Sequence, residues 1–137
     1  MARKFRLQVI SPDRTFFEGE TDMVILRAVD GYLSIMYDHQ PTVALLAVGS
    51  MRIRNEDGSF SWAACTDGIL TVKDTAVTVL VNAAEWVDEI DLPRAIEARK
   101  RAEARLNAPT SDSIDSVRAR AALERAINRI KLGEVRK

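Results

Sequence analysis

The sequence predicts an α+β protein: an N-terminal antiparallel β-sandwich followed by a C-terminal antiparallel two-helix hairpin. Three observations carry this. Up to residue 90, apolar and polar residues alternate in short runs separated by turn-forming pairs. Beyond residue 91, apolar residues recur at helical spacing instead. The change falls within residues 90–95, IDLPRA, where Asp91 and Pro93 form a helix-start signal. The chain therefore divides into a sandwich domain at 1–88 and a helical domain at 89–137.

Taken in order, FRLQVI places Phe5, Leu7 and Val9 on one face of a first strand. Turn signals follow at Ser11–Asp13, Asp30-Gly31, Asp67-Gly68 and Lys73-Asp74. MRIRNEDGSFSWAA reads as a hairpin: Met51 and Ile53 precede a turn at 55–58, and Phe60, Trp62 and Ala64 form the returning strand. Asp57-Gly58 suits that turn because glycine accepts positive φ. VTVLVN closes the series with Val77, Val79 and Val81 on one face. Many short strands at such intervals indicate an antiparallel sandwich or barrel.

A first helix over 92–106 puts Leu92, Ala95, Ile96, Ala102 and Leu106 on one stripe. NAPTSDS interrupts it, with Pro109 as the breaker and Asp112 or Ser113 as a cap for a second helix. That helix, from about 113 to 131, is expected to present Ile114, Val117, Ala121, Ala126 and Ile130 to the first. The shared stripe is mostly alanine. Each buried methyl-sized group contributes about 0.8 kcal/mol, against about 1.5–3 for a leucine, so the hairpin closes tightly but weakly and opens readily.

Composition sets limits. Apolar residues make up 47% of the 137-residue chain, enough for a real core. No apolar run reaches the roughly 18–20 residues of a membrane-spanning helix, and the N-terminus lacks the pattern of a secretory signal. One cysteine, Cys65, excludes an internal disulfide, and with a single histidine it argues against a zinc site of the usual ligands. The formal net charge of zero conceals a split. Residues 1–90 carry 8 basic and 13 acidic side chains, a net −5; residues 91–137 carry 12 and 7, a net +5. A basic helical tail predicts an acidic surface to meet, either its own first domain or a partner. Nucleic acid fits poorly, because the tail has no aromatic residue to stack on a base.

IDLPRA itself is only partly explained as a helix start. Asp91 caps the first turn, and Pro93 sits where its missing N–H costs nothing. Arg94 is anomalous, since a cation near a helix N-terminus opposes the dipole. In a symmetric hairpin Arg94 comes opposite Arg125, with Arg129 one turn away on the same face. Three converging guanidiniums repel one another unless an anion sits between them. The competing reading is simple surface arginines, with Arg101 and Arg118 as representatives of that kind.

LQVISPDRTFFEGE, DGYLSIMYDHQP, TDGILTVKDTAVTVLVNAAE, EIDLPRA and ERAINRIK together resemble the epsilon subunits of bacterial F-type ATP synthases, over essentially the whole chain. The resemblance implies a non-catalytic rotor subunit whose sandwich meets the gamma subunit and the c-ring. It implies a helical hairpin that regulates ATP hydrolysis against the beta subunits, peripheral to the cytoplasmic face of the cell membrane. ATP-binding members of the family carry a motif that corresponds here to Ile90, Asp91, Arg94 and Ala95, with Glu85 before it and Arg125 and Arg129 in the second helix. ATP is thus the one regulatory ligand implied, with no other cofactor and no metal. A family loop that contacts the rotor corresponds here to LSIMYDHQPT, which keeps His39 and Pro41 but carries Ser34, Tyr37 and Asp38 where the family pattern is rich in glycine. Tyr37, Asp38, His39 and Pro41 are the rotor-interface candidates.

Two other classes compete. A free-standing nucleotide-binding module would use the same arginines but would need no interface on the sandwich. An enzyme is the weakest reading: Cys65 reads as a buried small hydrophobe, and no glycine-rich phosphate loop occurs.

Overall fold

The computed structural model describes residues 3–108 and 113–136. It divides into two compact units, Met1–Trp86 and Val87–Lys137. Among the described residues no helix is long and apolar enough to cross a membrane.

Among its described residues the first unit contains nine strands: β1 (Phe5–Ser11), β2 (Arg14–Thr21), β3 (Met23–Ala28), β4 (Gly31–Met36), β5 (Thr42–Arg54), β6 (Phe60–Cys65), β7 (Gly68–Lys73), β8 (Ala76–Val81) and β9 (Ala84–Trp86). They follow the order β2-β1-β8-β7-β5-β3-β4, with β6 on the far half of β5 and β9 on β6. The 13-residue β5 makes the sandwich possible. Its first half, from Thr42, pairs with β7, and its second half, from Gly49, pairs with β6. One continuous strand therefore passes between the layers. Alternation supplies the core: Leu7, Val9, Val24, Ile35, Met51, Leu70 and Val79 are all completely buried.

Three local features differ from the sequence expectation. The pairing of β1 with β8 is parallel, the one parallel ladder among the described strands. The β7–β8 hairpin sets the direction of β8, and nothing short joins β8 to β1, so no tight turn forces these two to run antiparallel. The second is the β5–β6 hairpin. Its loop spans residues 55–59, closed by Gly58 N donating to Asn55 O at 3.0 Å with Gly58 at φ 89°. Arg54 then pairs with Phe60, so Ser61, Ala63 and Cys65 share the face of Ile53, Met51 and Gly49. Phe60 and Trp62 turn outward, and Arg52 lies over the Trp62 ring at 4.5 Å. Third, Gly68 is required by a close approach and not by its φ. A Cβ there would lie 2.0 Å from Leu80 O on the neighbouring strand. Cys65 is buried, and burial pushes its thiol up to about 12, as an inert core residue.

The second unit contains a 3-10 turn (Val87–Glu89), α1 (Leu92–Leu106) and α2 (Ser113–Arg136). Helix α2 runs five residues beyond the expected end. Pro109 and Asp112 lie outside the described residues, as does the side chain of Ile114. The seam consists of Ala95 and Ala102 on α1 and Ala119, Ala126 and Ile130 on α2, all buried. Val117 was expected on this seam and is instead 69% exposed. At about 100° per residue, 119, 126 and 130 fall within one narrow arc, while 117 lies nearly opposite. At the base of the hairpin, a Cβ on Gly133 would come 3.2 Å from Leu92 Cδ1 and 3.3 Å from Ile90 Cγ2. The missing side chain lets α2 close on the start of α1.

Candidate functional site

The IDLPRA segment is built as a capped helix start. Asp91 Oδ1 accepts from the backbone N–H of Arg94 at 3.2 Å, and Asp91 O accepts from Ala95 N at 3.0 Å. Ile90 N donates to Val87 O at 3.2 Å, joining the 3-10 turn to the helix. Ile90 and Ala95 are buried, at 6% and 0% exposure. These residues hold the first turn in place, and the exposed Arg94 extends from it.

Each arginine of the expected site immediately precedes a buried seam residue: Arg94 before Ala95, Arg125 before Ala126, Arg129 before Ile130. Each therefore sits about 100° back from the seam. Antiparallel helices are viewed from opposite ends, so equal displacements from a shared seam emerge on the same flank. Helical geometry thus places Arg94, Arg125 and Arg129 along one flank of the hairpin. Arg94 and Arg125 are exposed and Arg129 is half-buried.

The register differs from a symmetric hairpin. Gly133 is level with the Ile90–Leu92 segment. Counting back along α2 then brings Arg129 nearly level with Arg94, and Arg125 about 6 Å farther along the axis. Arg129 is the cross-helix neighbour of Arg94, and Arg125 is one turn away. The offset follows from the base contact, which the lengths of the two helices alone do not specify. The same geometry places Arg101 (before Ala102) and Arg118 (before Ala119) on this flank, farther from the base, and not on another surface.

Glu85 belongs to the first unit, half-buried on β9 opposite Ala64. The rotor-interface candidates form the turn after β4. Tyr37 packs against the core, with Arg3 over its ring at 5.4 Å. Asp38 adopts φ 67°, a conformation aspartate tolerates better than most residues. His39 N donates to Met36 O at 3.2 Å, and His39 Nδ1 lies 2.9 Å from Gln40 O. Asp38 and Pro41 are exposed and His39 half-buried. Tyr37 thus anchors the turn, and the other three form its outer edge.

Chemically, the hairpin flank is suited to a polyanion. Guanidiniums bind phosphate oxygens bidentately and stay charged at any physiological pH. Asp91, capping the same helix start, offsets the dipole that would otherwise oppose Arg94.

Comparison with known proteins adds two family matches and several close relatives. The family model described as ATP synthase, Delta/Epsilon chain, beta-sandwich domain matches residues 4–87. That for the long alpha-helix domain of the same chain matches residues 88–133. The ATP synthase epsilon chain of Caldicellulosiruptor bescii is 43% identical over 134 residues, covering 98% of this chain and 96% of that one. The ATP synthase epsilon chain of Ruminococcus albus is 44% identical over 129 residues, covering 93% and 95%. Among solved structures, a chain of the Euglena gracilis mitochondrial ATP synthase superposes with a TM-score of 0.77 at 23% identity, over 88% of this chain and 76% of that one. At that identity the superposition establishes shared fold.

Proposed function

This chain belongs to the ATP synthase delta/epsilon chain family, and from that premise we propose that it is a non-catalytic central-stalk subunit of an ATP synthase. In this reading the sandwich joins the rotor by contacts with the gamma subunit and the c-ring, the turn at Tyr37–Pro41 among them. The subunit helps couple ion flow to ATP synthesis from a peripheral position on the cytoplasmic face of the cell membrane. The hairpin is a brake on ATP hydrolysis that acts on the beta subunits when open and is held closed by ATP. The observation that carries the ATP-responsive part is the flank where Arg94, Arg129 and Arg125 converge from two helices joined by an alanine seam. Only the closed hairpin presents all three to one triphosphate, so ligand binding and closure are the same event.

Titration calorimetry of the whole chain with MgATP tests this. The expected result is saturable binding that Arg94→Ala, Arg125→Ala and Arg129→Ala each weaken about tenfold or more, the scale of a charge-assisted hydrogen bond. Arg120, one residue after Ala119 and so on the opposite flank, is the control. No saturable heat from the wild-type chain, or an equal loss with Arg120→Ala, overturns the reading.

A further inference from the structure

The sandwich layer of β4, β3, the second half of β5 and β6 turns an unusual face outward. Side chains on one face of a sheet meet across strands. Ser34, Ile25, Arg52 and Trp62 form one such row, each opposite the next. Arg27 stands opposite Tyr32 on one side of it, and Arg54 opposite Phe60 on the other. Residues 1–90 carry a net −5, yet no outward position of this layer is acidic and three are arginine. Two of the three are engaged. Arg54 Nε donates to Asp22 Oδ1 at 2.8 Å, and Arg27 Nη1 donates to Val48 O at 3.3 Å. Arg52 differs. Its guanidinium lies 4.5 Å from the centre of the Trp62 ring and 5.8 Å from that of Tyr32, held flat by cation–π attraction. Its Nε is buried and meets no acceptor, and no carboxylate pairs with it among the described residues. Buried donors are nearly always satisfied, so the chain holds a preset guanidinium whose acceptor it does not itself supply.

We propose that this face docks a carboxylate-bearing loop of a rotor subunit, whose acidic side chain is received by Arg52 between Tyr32 and Trp62. The inference rests on the stalk reading above and gives it a surface and a chemistry. Three features select the partner. A single arginine lacking its anion calls for one carboxylate, and its planar fork is matched to that group. The residues around it, two aromatic rings with Met36 beyond, are types that concentrate in protein interfaces. Tyr32 is 59% exposed and Met36 48%. Strand β4 then runs through Met36 directly into the turn at Tyr37–Pro41, so the face continues the surface already assigned to the rotor. The net negative charge of the unit would repel the phosphate backbone of a nucleic acid. With a partner seated, the rings exclude water from the ion pair and so strengthen it.

The experiment measures the affinity of the full chain for ATP synthase depleted of this subunit, using wild type, Arg52→Met, Arg52→Lys and Tyr32→Ser. Arg52→Met keeps the length of the side chain and removes the charge, and it should weaken assembly about tenfold or more. Arg52→Lys keeps the charge without the planar fork and should fall between the two. Tyr32→Ser, at an exposed position, should weaken assembly several-fold. The melt of the free sandwich should stay at the wild-type temperature in all three variants, because Arg52 Nε has no hydrogen bond to lose. Wild-type affinity in Arg52→Met or in Tyr32→Ser overturns the docking site. So does a lowered sandwich melt that accounts for the weaker assembly, which would make Arg52 a structural residue. Failure of the wild-type chain to bind the depleted enzyme overturns the stalk reading itself, and this inference with it.

Discussion

Ile130→Ala probes the link between hairpin closure and ligand most directly. Ile130 is 8% exposed and is the largest side chain buried along a seam otherwise made of Ala95, Ala102, Ala119 and Ala126. Truncating a buried isoleucine costs about 2–5 kcal/mol; among small neighbours that can partly close the gap, about 2–3 kcal/mol applies here. The unit Val87–Lys137 has 51 residues. At about 2.1 cal/mol/K per residue its unfolding entropy is about 0.1 kcal/mol/K, so the loss lowers its melting temperature by about 20 °C or more. The assay uses two probes. Both tryptophans, Trp62 and Trp86, lie in the first unit, so fluorescence follows the sandwich while far-ultraviolet dichroism at helical wavelengths follows the hairpin. The dichroism transition should fall and the fluorescence transition should stay. MgATP at a hundredfold excess over its Kd should then restore about 2.7 kcal/mol, nearly the whole loss. If both probes fall together, the hairpin is not an independent cooperative unit, and the argument from a weak alanine seam fails.

Three other outcomes are expected. Gly68→Ala drives a Cβ to 2.0 Å from Leu80 O; separating β7 from β8 to relieve that overlap should cost about 3 kcal/mol or more, read as a lowered fluorescence melt with the hairpin unchanged. Asp22 Oδ1 accepts from Arg54 Nε at 2.8 Å, which holds the Asp22 carboxyl below the ordinary carboxylate range. A lowered folded pKa means that this stabilisation is complete above the unfolded value of about 3.9 and is lost as pH falls through the folded value; an acid titration of sandwich stability should therefore be shallower below pH 4 in Asp22→Asn, and an unchanged slope would remove the pair from the account. Deleting residues 91–137 from the assembled ATP synthase should raise ATP hydrolysis and leave synthesis largely intact; unchanged hydrolysis would mean that the hairpin is no brake.

Much of the fold was legible because it depends on local periodicity. Phe5, Leu7 and Val9, and Val77, Val79 and Val81, had to share a face once those segments were strands, and they are buried. Asp91 and Pro93 marked a helix start at Leu92, and α1 spans Leu92–Leu106, as the pattern indicated. Tertiary structure decided register and the choice between competing faces. Helix α2 carries two apolar stripes, one through Val117 and Ala121 and another through Ala119, Ala126 and Ile130, and only one can meet α1. The second meets it because alanines there face alanines on α1 and let the backbones approach, a property of the pair and not of either helix. The contact of Gly133 with Ile90 and Leu92 then makes Arg129, not Arg125, the neighbour of Arg94. On the sandwich, the five-residue loop at 55–59 turned Phe60 and Trp62 outward and Ala63 inward, because a shift of one residue reverses every side chain of a strand. Periodicity determines what each segment can be. Which partner it meets, and at what offset, is set by steric fit between segments far apart in the chain.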